Sequence, residues 1–297
     1  MLSILIPTYN YNITKSVNDL HIQATSLGID FEIIIAEDGS VNFLEENRKL
    51  QSLSNVIYIE LKDNIGRAKI RNFLAETAKY PYLLFMDCDV KVIDNQFIRK
   101  YIDILPADVV IGGYAYSQTP PEKEQILRWR YGWQREVKTA NERNKTPNKS
   151  FSTFNFLIKK AIFNEVRFDE SISGYGHEDT MFGWELKKKN ITVLHIDNPL
   201  LQESPDETAV FLQKIENSVR NLWLLYQKIS DKKGFAEDNH LLKTYIFLKK
   251  YRLTFLISLF FALFGKILYK NLCSEKPKMM FFDLYKLGIL CEVARKY

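Results

Sequence analysis

The chain holds only three cysteines, Cys88, Cys273 and Cys291, too few and too scattered for a disulfide framework or a zinc site. A reducing compartment is the default for such a chain. Its start, MLSILIPTYN, lacks a basic stretch and has too short an apolar run for a secretory leader, so translocation is not expected. There is no internal repeat and no low-complexity tract. No G-x-G-x-x-G follows an apolar strand-like run, which argues against a dinucleotide oxidoreductase. No Ser-His-Asp or Cys-His set stands out as an enzyme nucleophile. The most apolar stretch, residues 253 to 264 between Arg252 and Lys266, falls short of the roughly 20 apolar residues that cross a bilayer.

What is present suffices for a large core: of 297 residues, 46% are hydrophobic and 13% aromatic, enough for one large domain or two modest ones. The net charge of +5 is unevenly placed, with 11 Lys/Arg against 3 Asp/Glu in residues 241 to 297 and 30 against 33 before them. This argues against a nucleic-acid protein built around a basic core. It favours a C-terminal region facing an anionic surface, of which a lipid headgroup layer is one candidate.

Strand-like apolar runs at residues 2 to 6, 31 to 35, 56 to 59, 82 to 86 and 109 to 111 alternate with helix-length segments. That alternation predicts a parallel sheet covered on both faces by helices. In one crossover, NIGRAKIRNFLAETAKY, a helical period puts Ile65, Ala68, Phe73 and Leu74 on one face and leaves Lys69 and Glu76 outside. Ligands of such sheets gather at the carboxyl ends of the strands. There the sequence places Pro7-Thr8-Tyr9-Asn10, Glu37-Asp38-Gly39-Ser40 and Asp87-Cys88-Asp89.

Two carboxylates one residue apart at a strand end cannot both point into the sheet. Beyond the strand, Asp87 and Asp89 can offer oxygens to a hard cation such as Mg²⁺ or Mn²⁺, which takes further ligands from a substrate diphosphate. A surface turn rich in aspartate is the alternative. In GYGHEDTMFGWELKKKN, Gly174 and Gly176 permit close backbone approach, and Glu178-Asp179 open a helix whose first turn favours carboxylates even without catalysis. Residues 120 to 150 read as a helix followed by a mobile loop, and 206 to 229 as a long amphipathic helix. Residues 253 to 264 suit a helix lying in an anionic headgroup layer. A helix packed on the domain or in a dimer is the alternative.

The segments SILIPTYN, EIIIAEDGS, NIGRAKIRN, LLFMDCDV and GYGHEDTMFGWEL occur in the order and approximate spacing of family 2 inverting glycosyltransferases, which the chain resembles over roughly residues 2 to 200. The resemblance implies an α/β GT-A fold, a nucleotide-sugar-binding, mostly parallel sheet flanked by helices. It puts a catalytic domain at 1–204, with a nucleotide-sugar half at 1–116 and an acceptor half at 117–204, and a C-terminal helical region at 205–297.

Residue by residue, the resemblance implies that Pro7, Thr8 and Tyr9 border the nucleotide base and that Asp38 bonds base or ribose. Arg67 and Arg71 fall on the donor side near base and phosphate, and Asn155 near the donor phosphates or acceptor. Asp89 and Asp87 form the Asp-x-Asp metal pair, Asp87 partly turned to the ribose. Asp179 is the general base that deprotonates the acceptor hydroxyl, and Glu178 orients the site. Glu37 stands where the family usually has aspartate, and its extra methylene removes it from the binding set. Many relatives complete the metal shell with a downstream histidine. Here His195 lies before that position and Gln202 and Glu203 at about it, so all three are candidates.

The implied activity is metal-dependent (Mn²⁺ or Mg²⁺) transfer of a sugar, with UDP-linked donors the first choice, to a glycan or lipid-linked saccharide in polysaccharide biosynthesis. The expected setting is the cytoplasmic face of a membrane reached through the C-terminal helices, with no nucleic-acid partner and a homodimer left open. A non-catalytic nucleotide-sugar-binding module in a membrane assembly is the rival. A sugar-1-phosphate nucleotidyltransferase fits less well, because PTYNYN is not a Gly-rich, Arg-containing loop.

Overall fold

Runs rich in leucine and isoleucine can be buried on both faces of a sheet, and the strands that begin at Leu2 and Phe31 are buried this way, with Ser3 and Glu32 hydrogen-bonded to each other inside them. In the computed structural model, which describes residues 1–172 and 174–296, the chain forms two units. The first comprises residues 1–117, 135–172 and 178–204; the second comprises 118–134, 174–177 and 205–296. Residues 118–134 and 174–177, which the sequence groups with 117–204, thus belong with the C-terminal helices.

The strands of the first unit are β1 (Leu2–Thr8), β2 (Phe31–Asp38), β3 (Val56–Leu61), β4 (Tyr82–Met86), β5 (Val90–Lys91), β6 (Val109–Ile111), β7 (Tyr114–Ala115), β8 (Asn155–Lys159), β9 (Val193–His195) and β10 (Leu200–Gln202). Seven of them form a sheet in the order β3-β2-β1-β4-β8-β6-β9. β8 runs antiparallel to both of its neighbours, and the other pairs are parallel. Alternate residues feed two cores. Leu2, Ile4, Ile33 and Leu84 pack with Val17 and Leu20 of the Thr14–Ser26 helix. Leu5, Ile34 and Phe85 pack with Ala68, Ile70 and Leu74 of the Arg67–Thr77 helix. Each large aliphatic side chain buried this way contributes about 1.5–3 kcal/mol.

A second sheet, β5-β10-β7, pairs β10 antiparallel to β5 and parallel to β7. It takes up the chain as it leaves the Asp87-Cys88-Asp89 corner and sets Gln202 opposite Val90.

Two local expectations are corrected. Ile65 lies outside the helix and is exposed, because Gly66 adopts φ +90° and the helix begins at Arg67; buried Arg71 takes a place on the inner face instead. The segment read as a mobile loop is tied down. Thr139 and Glu142 form a capping box on the Ala140–Arg143 helix. Asn144 Nδ2 then donates to His195 O at 2.9 Å and Asn148 Nδ2 to Ile191 O at 2.7 Å, so these polar side chains serve neighbouring backbone rather than solvent.

In the second unit, the Thr208–Lys228 helix buries Phe211, Leu212, Ile215, Val219 and Leu222 at helical spacing. Phe211 stacks on Phe282 of the Met279–Lys296 helix at 5.7 Å, and Tyr131 of the Ile126–Tyr131 helix packs against both rings. Among the described residues, Thr254–Leu272 is the one helix long and apolar enough to cross a membrane. Of its residues Leu268 and Leu272 are buried, and most of the others are exposed or half-exposed.

Candidate active site

Strand β4 ends at Met86, and Asp87 N–H donates to Phe154 O at 3.1 Å, one last bond in the register of β4 with β8, before the chain turns away. From that corner Asp87 Oδ1 meets Arg71 Nη2 at 2.7 Å. Arg71 is 2% exposed. Its Nη1 donates to Arg67 O at 3.2 Å and lies 3.8 Å from Glu178 Oε1, while Arg67 Nη1 lies 3.7 Å from the same oxygen. Two guanidiniums therefore stand between the carboxylates of motifs far apart in sequence. Burial raises the Asp87 pKa, the Arg71 and Arg67 charges oppose that rise, and the neighbouring Asp89 adds to it.

The small sheet clamps Asp89. Gln202 Nε2 donates to Asp89 Oδ2 at 2.8 Å and to Asp89 O at 3.2 Å, and Glu203 N–H donates to Asp89 O at 3.2 Å. Tyr11 donates its hydroxyl to Glu203 Oε2 at 3.3 Å. Burial, with the Glu203 and Asp89 charges adding, pushes that phenol up to about 12, so it stays a donor. Cys88 takes a hydrogen bond from Tyr9 N–H, and burial pushes its thiol up to about 12, so without a metal it is a neutral thiol at neutral pH.

A metal test follows from the donor set. Among the described residues no group of three or more His, Cys, Asp or Glu could hold an ion. Two aspartates with oxygen donors fit Mg²⁺ or Mn²⁺, which keep several positions for substrate phosphates or water. His195 does not join them. It is buried in β9, its Nδ1 accepts from Arg143 Nε at 3.2 Å, and its Nε2 faces Pro147 O at 2.9 Å. Burial, and secondarily the Arg143 charge, lowers its pKa, so it stays neutral and structural. Gln202 reaches the site as an amide holding Asp89.

Asp179 occupies the first turn of the Glu178–Lys188 helix and is half-buried. Its Oδ1 accepts from Thr180 N at 2.6 Å and from the Thr180 hydroxyl at 3.3 Å. Burial first, then the Glu178 charge, pushes its pKa to about 6, against the Thr180 hydrogen bonds and the Arg71 charge. That value suits a group that accepts a proton near neutrality.

The other expected donor residues divide. Tyr9 is 53% exposed and its ring is free to meet a base, while Pro7 is half-buried in the β1 ladder. Thr8 is buried, with its hydroxyl donating to Ile6 O at 3.4 Å. Asp38 spends both oxygens on the loop before the Arg67 helix, accepting from Ile65 N at 2.6 Å and Gly66 N at 3.2 Å. It thereby places Arg67 and Arg71. Asn155 is also corrected: it is wholly buried in β8, its Oδ1 accepting from Tyr101 Oη and Gly112 N at 2.8 Å each and its Nδ2 donating to Gly113 O at 3.0 Å. Glu37 is equally internal, bound to Ser40, Asn47 and Tyr58.

Tyr114, which no motif marks, lies near these carboxylates. Its hydroxyl pairs with Ser152, its ring stacks on Phe154 at 4.1 Å, and the charges of Glu136, Asp179 and Asp87 all reach it. It follows the carboxyl end of β6, where the rule applied to the other strands would have found it.

Residues 3–167 match the family model described as glycosyl transferase family 2. Chondroitin synthase of Escherichia coli is 27% identical over 241 residues, covering 69% of this chain and 35% of that protein. Chondroitin synthase of Pasteurella multocida (strain Pm70) is 28% identical over 241 residues, covering 69% and 25%. The chain thus spans about a third or less of these curated relatives' length. Among solved structures, the mannosyltransferase PcManGT from Pyrobaculum calidifontis, in complex with GDP-Man and Mn²⁺, superposes with a TM-score of 0.61 at 12% identity, covering 97% of this chain and 86% of that one. With the family match extending over more than half its residues and the fold shared with that structure, the chain belongs to glycosyl transferase family 2 and has the GT-A fold.

Proposed function

We propose that the chain is a metal-dependent inverting glycosyltransferase that moves a sugar from a nucleotide donor, a UDP-sugar in first place, to a glycan or lipid-linked saccharide. The observation that carries this reading is the Arg67–Arg71 pair lying between Asp87 and Glu178, which ties the carboxylate pair to the helix bearing Asp179. Membership of the family and the named chondroitin synthases support a polysaccharide acceptor. The expected setting is the cytoplasmic face of a membrane.

In this reading Tyr9 lies along the base and Arg67, 44% exposed at its side chain, faces the diphosphate. Asp89, oriented by Gln202, and Asp87 would hold Mn²⁺ or Mg²⁺. A divalent cation bound there neutralises diphosphate charge. Asp179 removes the proton from the acceptor hydroxyl as that oxygen attacks the anomeric carbon and the nucleoside diphosphate departs from the opposite face, so one displacement inverts the configuration. Glu178, paired with two arginines, orients the helix.

The test is nucleotide release from UDP-, GDP- and dTDP-sugars with Mn²⁺, Mg²⁺ or chelator, comparing wild type with Asp179→Asn. Cation-dependent release from one donor, lost in the variant, is expected. Tight donor binding with no release, even with saccharide acceptors supplied, would instead make the chain a binding module.

A further inference from the structure

Thr254–Leu272 carries an apolar surface that its own unit does not cover. Phe255, Leu256, Leu259, Phe260, Leu263 and Ile267 recur along the helix at intervals of one, three and four residues and are all exposed, Phe255 at 70% and Leu263 at 66%. Exposed apolar patches of this kind mark interaction sites on soluble proteins. The opposite side is seated: the Phe261 ring lies over Gly288, where an added Cβ would come within 2.3 Å of it, and Leu268 and Leu272 are buried.

Two observations choose the occupant. The first is charge. Lys249, Lys250 and Arg252 are exposed just ahead of the helix and Lys266 and Lys270 within its C-terminal half, in a region of 11 Lys/Arg against 3 Asp/Glu. A second copy meeting this face about a two-fold axis would bring like charges together, whereas an anionic headgroup layer neutralises each of them.

The second is packing. At 1.5 Å per residue the helix is about 28 Å long, nearly the thickness of a bilayer core. Yet its seated side rests on the Met279–Lys296 helix, where Tyr285 Oη donates to Glu216 Oε1 at 2.6 Å and Phe282 stacks on Phe211. Crossing a bilayer would draw that charged, hydrogen-bonded bundle into hydrocarbon, where each charge is costly. Lying in the plane immerses the apolar face alone.

We propose that this face docks, parallel to the interface, on a bilayer containing anionic phospholipid. This gives the membrane setting of the proposed function its surface and its lipid class. Vesicle binding needs neither donor nor acceptor, so its failure would leave the transfer reading standing.

The test is co-sedimentation of the full chain with vesicles of phosphatidylcholine alone or mixed with phosphatidylglycerol, at low and high salt. Binding to the mixed vesicles is expected, at least about tenfold weaker on pure phosphatidylcholine and in high salt. The pair Leu259→Glu and Leu263→Glu should abolish it while the nucleotide affinity of wild type is kept. Should that variant misfold, Lys266→Glu with Lys270→Glu reads the same surface by reversing charge, again with at least about a tenfold loss expected. Undiminished sedimentation of a folded variant overturns the proposal. So does membrane protein that resists carbonate extraction, which would mean a spanning helix, or a lipid-free dimer broken by the leucine substitutions, which would mean a self-interface.

Discussion

Arg71 is 2% exposed yet sits in a strongly charged cluster, with Asp87 and Glu178 near opposite ends of its guanidinium. Removing one partner of a buried ionic group costs about 3–5 kcal/mol. Arg71→Ala should therefore lower stability by that order in urea denaturation, beyond any loss of donor binding. Asp179→Asn should lower kcat about 100- to 10,000-fold with donor affinity kept. In wild type, kcat/KM should climb with pH up to about 6 and level off above it; the variant should lose that limb. Stability runs the other way. The fold raises the Asp179 pKa, so it favours the neutral acid, and its ionisation penalty grows as pH rises from the ordinary carboxylate range through about 6. The melting temperature of Asp179→Asn should accordingly gain on wild type across that window and hold its lead above it. Gln202→Ala should weaken Mn²⁺ binding in the presence of nucleotide by about tenfold or more, measured by titration calorimetry, because outer partners orient the ligating carboxylate. At this scale the sequence showed which residues were polar but not what each was committed to. His195 and Asn155 were read toward the site, yet their partners Arg143 and Gly112 lie 52 and 43 residues away, a proximity no local pattern contains.

At the level of elements, hydrophobic runs located five strands at their first residues: β1, β2 and β4 are buried on both faces, which demands nearly continuous apolar sequence, and β3, half-exposed along its length, keeps enough valine and isoleucine to be read. β2 ran further than its apolar run, through Glu37 and Asp38, since Asn47, Tyr58 and the Ile65-Gly66 backbone supply partners that make buried carboxylates tolerable. The small sheet was not visible: β5 and β7 have two residues each, too few for any period to show, and their pairing with β10 is a tertiary event. The turn after β2 depends on Gly39, which has φ +71° and would place an added Cβ 2.5 Å from Asn64 N. Gly39→Ala should cost about 1–3 kcal/mol or more through that strain and contact, read as a fall in melting temperature, and should disturb Arg67 through the Asp38 loop.

Across the molecule, binding energy and stability are linked: a ligand that binds only the folded chain at 100 times its Kd adds about 2.7 kcal/mol. UDP with Mn²⁺ should raise the melting temperature of wild type, and chelator should cancel most of the rise. The C-terminal charge excess and the apolar stretch at 253 to 264 were both legible in sequence, whereas the recruitment of 118–134 and 174–177 into the second unit was not. That recruitment bears on how the protein is made. Tyr131 packs on Phe211 and Phe282, and Arg130 Nη1 donates to Pro277 O at 2.9 Å, so this segment meets its first partner only once the Thr208–Lys228 helix has emerged and the rest only with residues 277 to 282. On the ribosome, residues 118–134 must wait with their aromatic side chains uncovered. A chain stalled or truncated at 204 would leave them so, and such species should be drawn to chaperones and proteases.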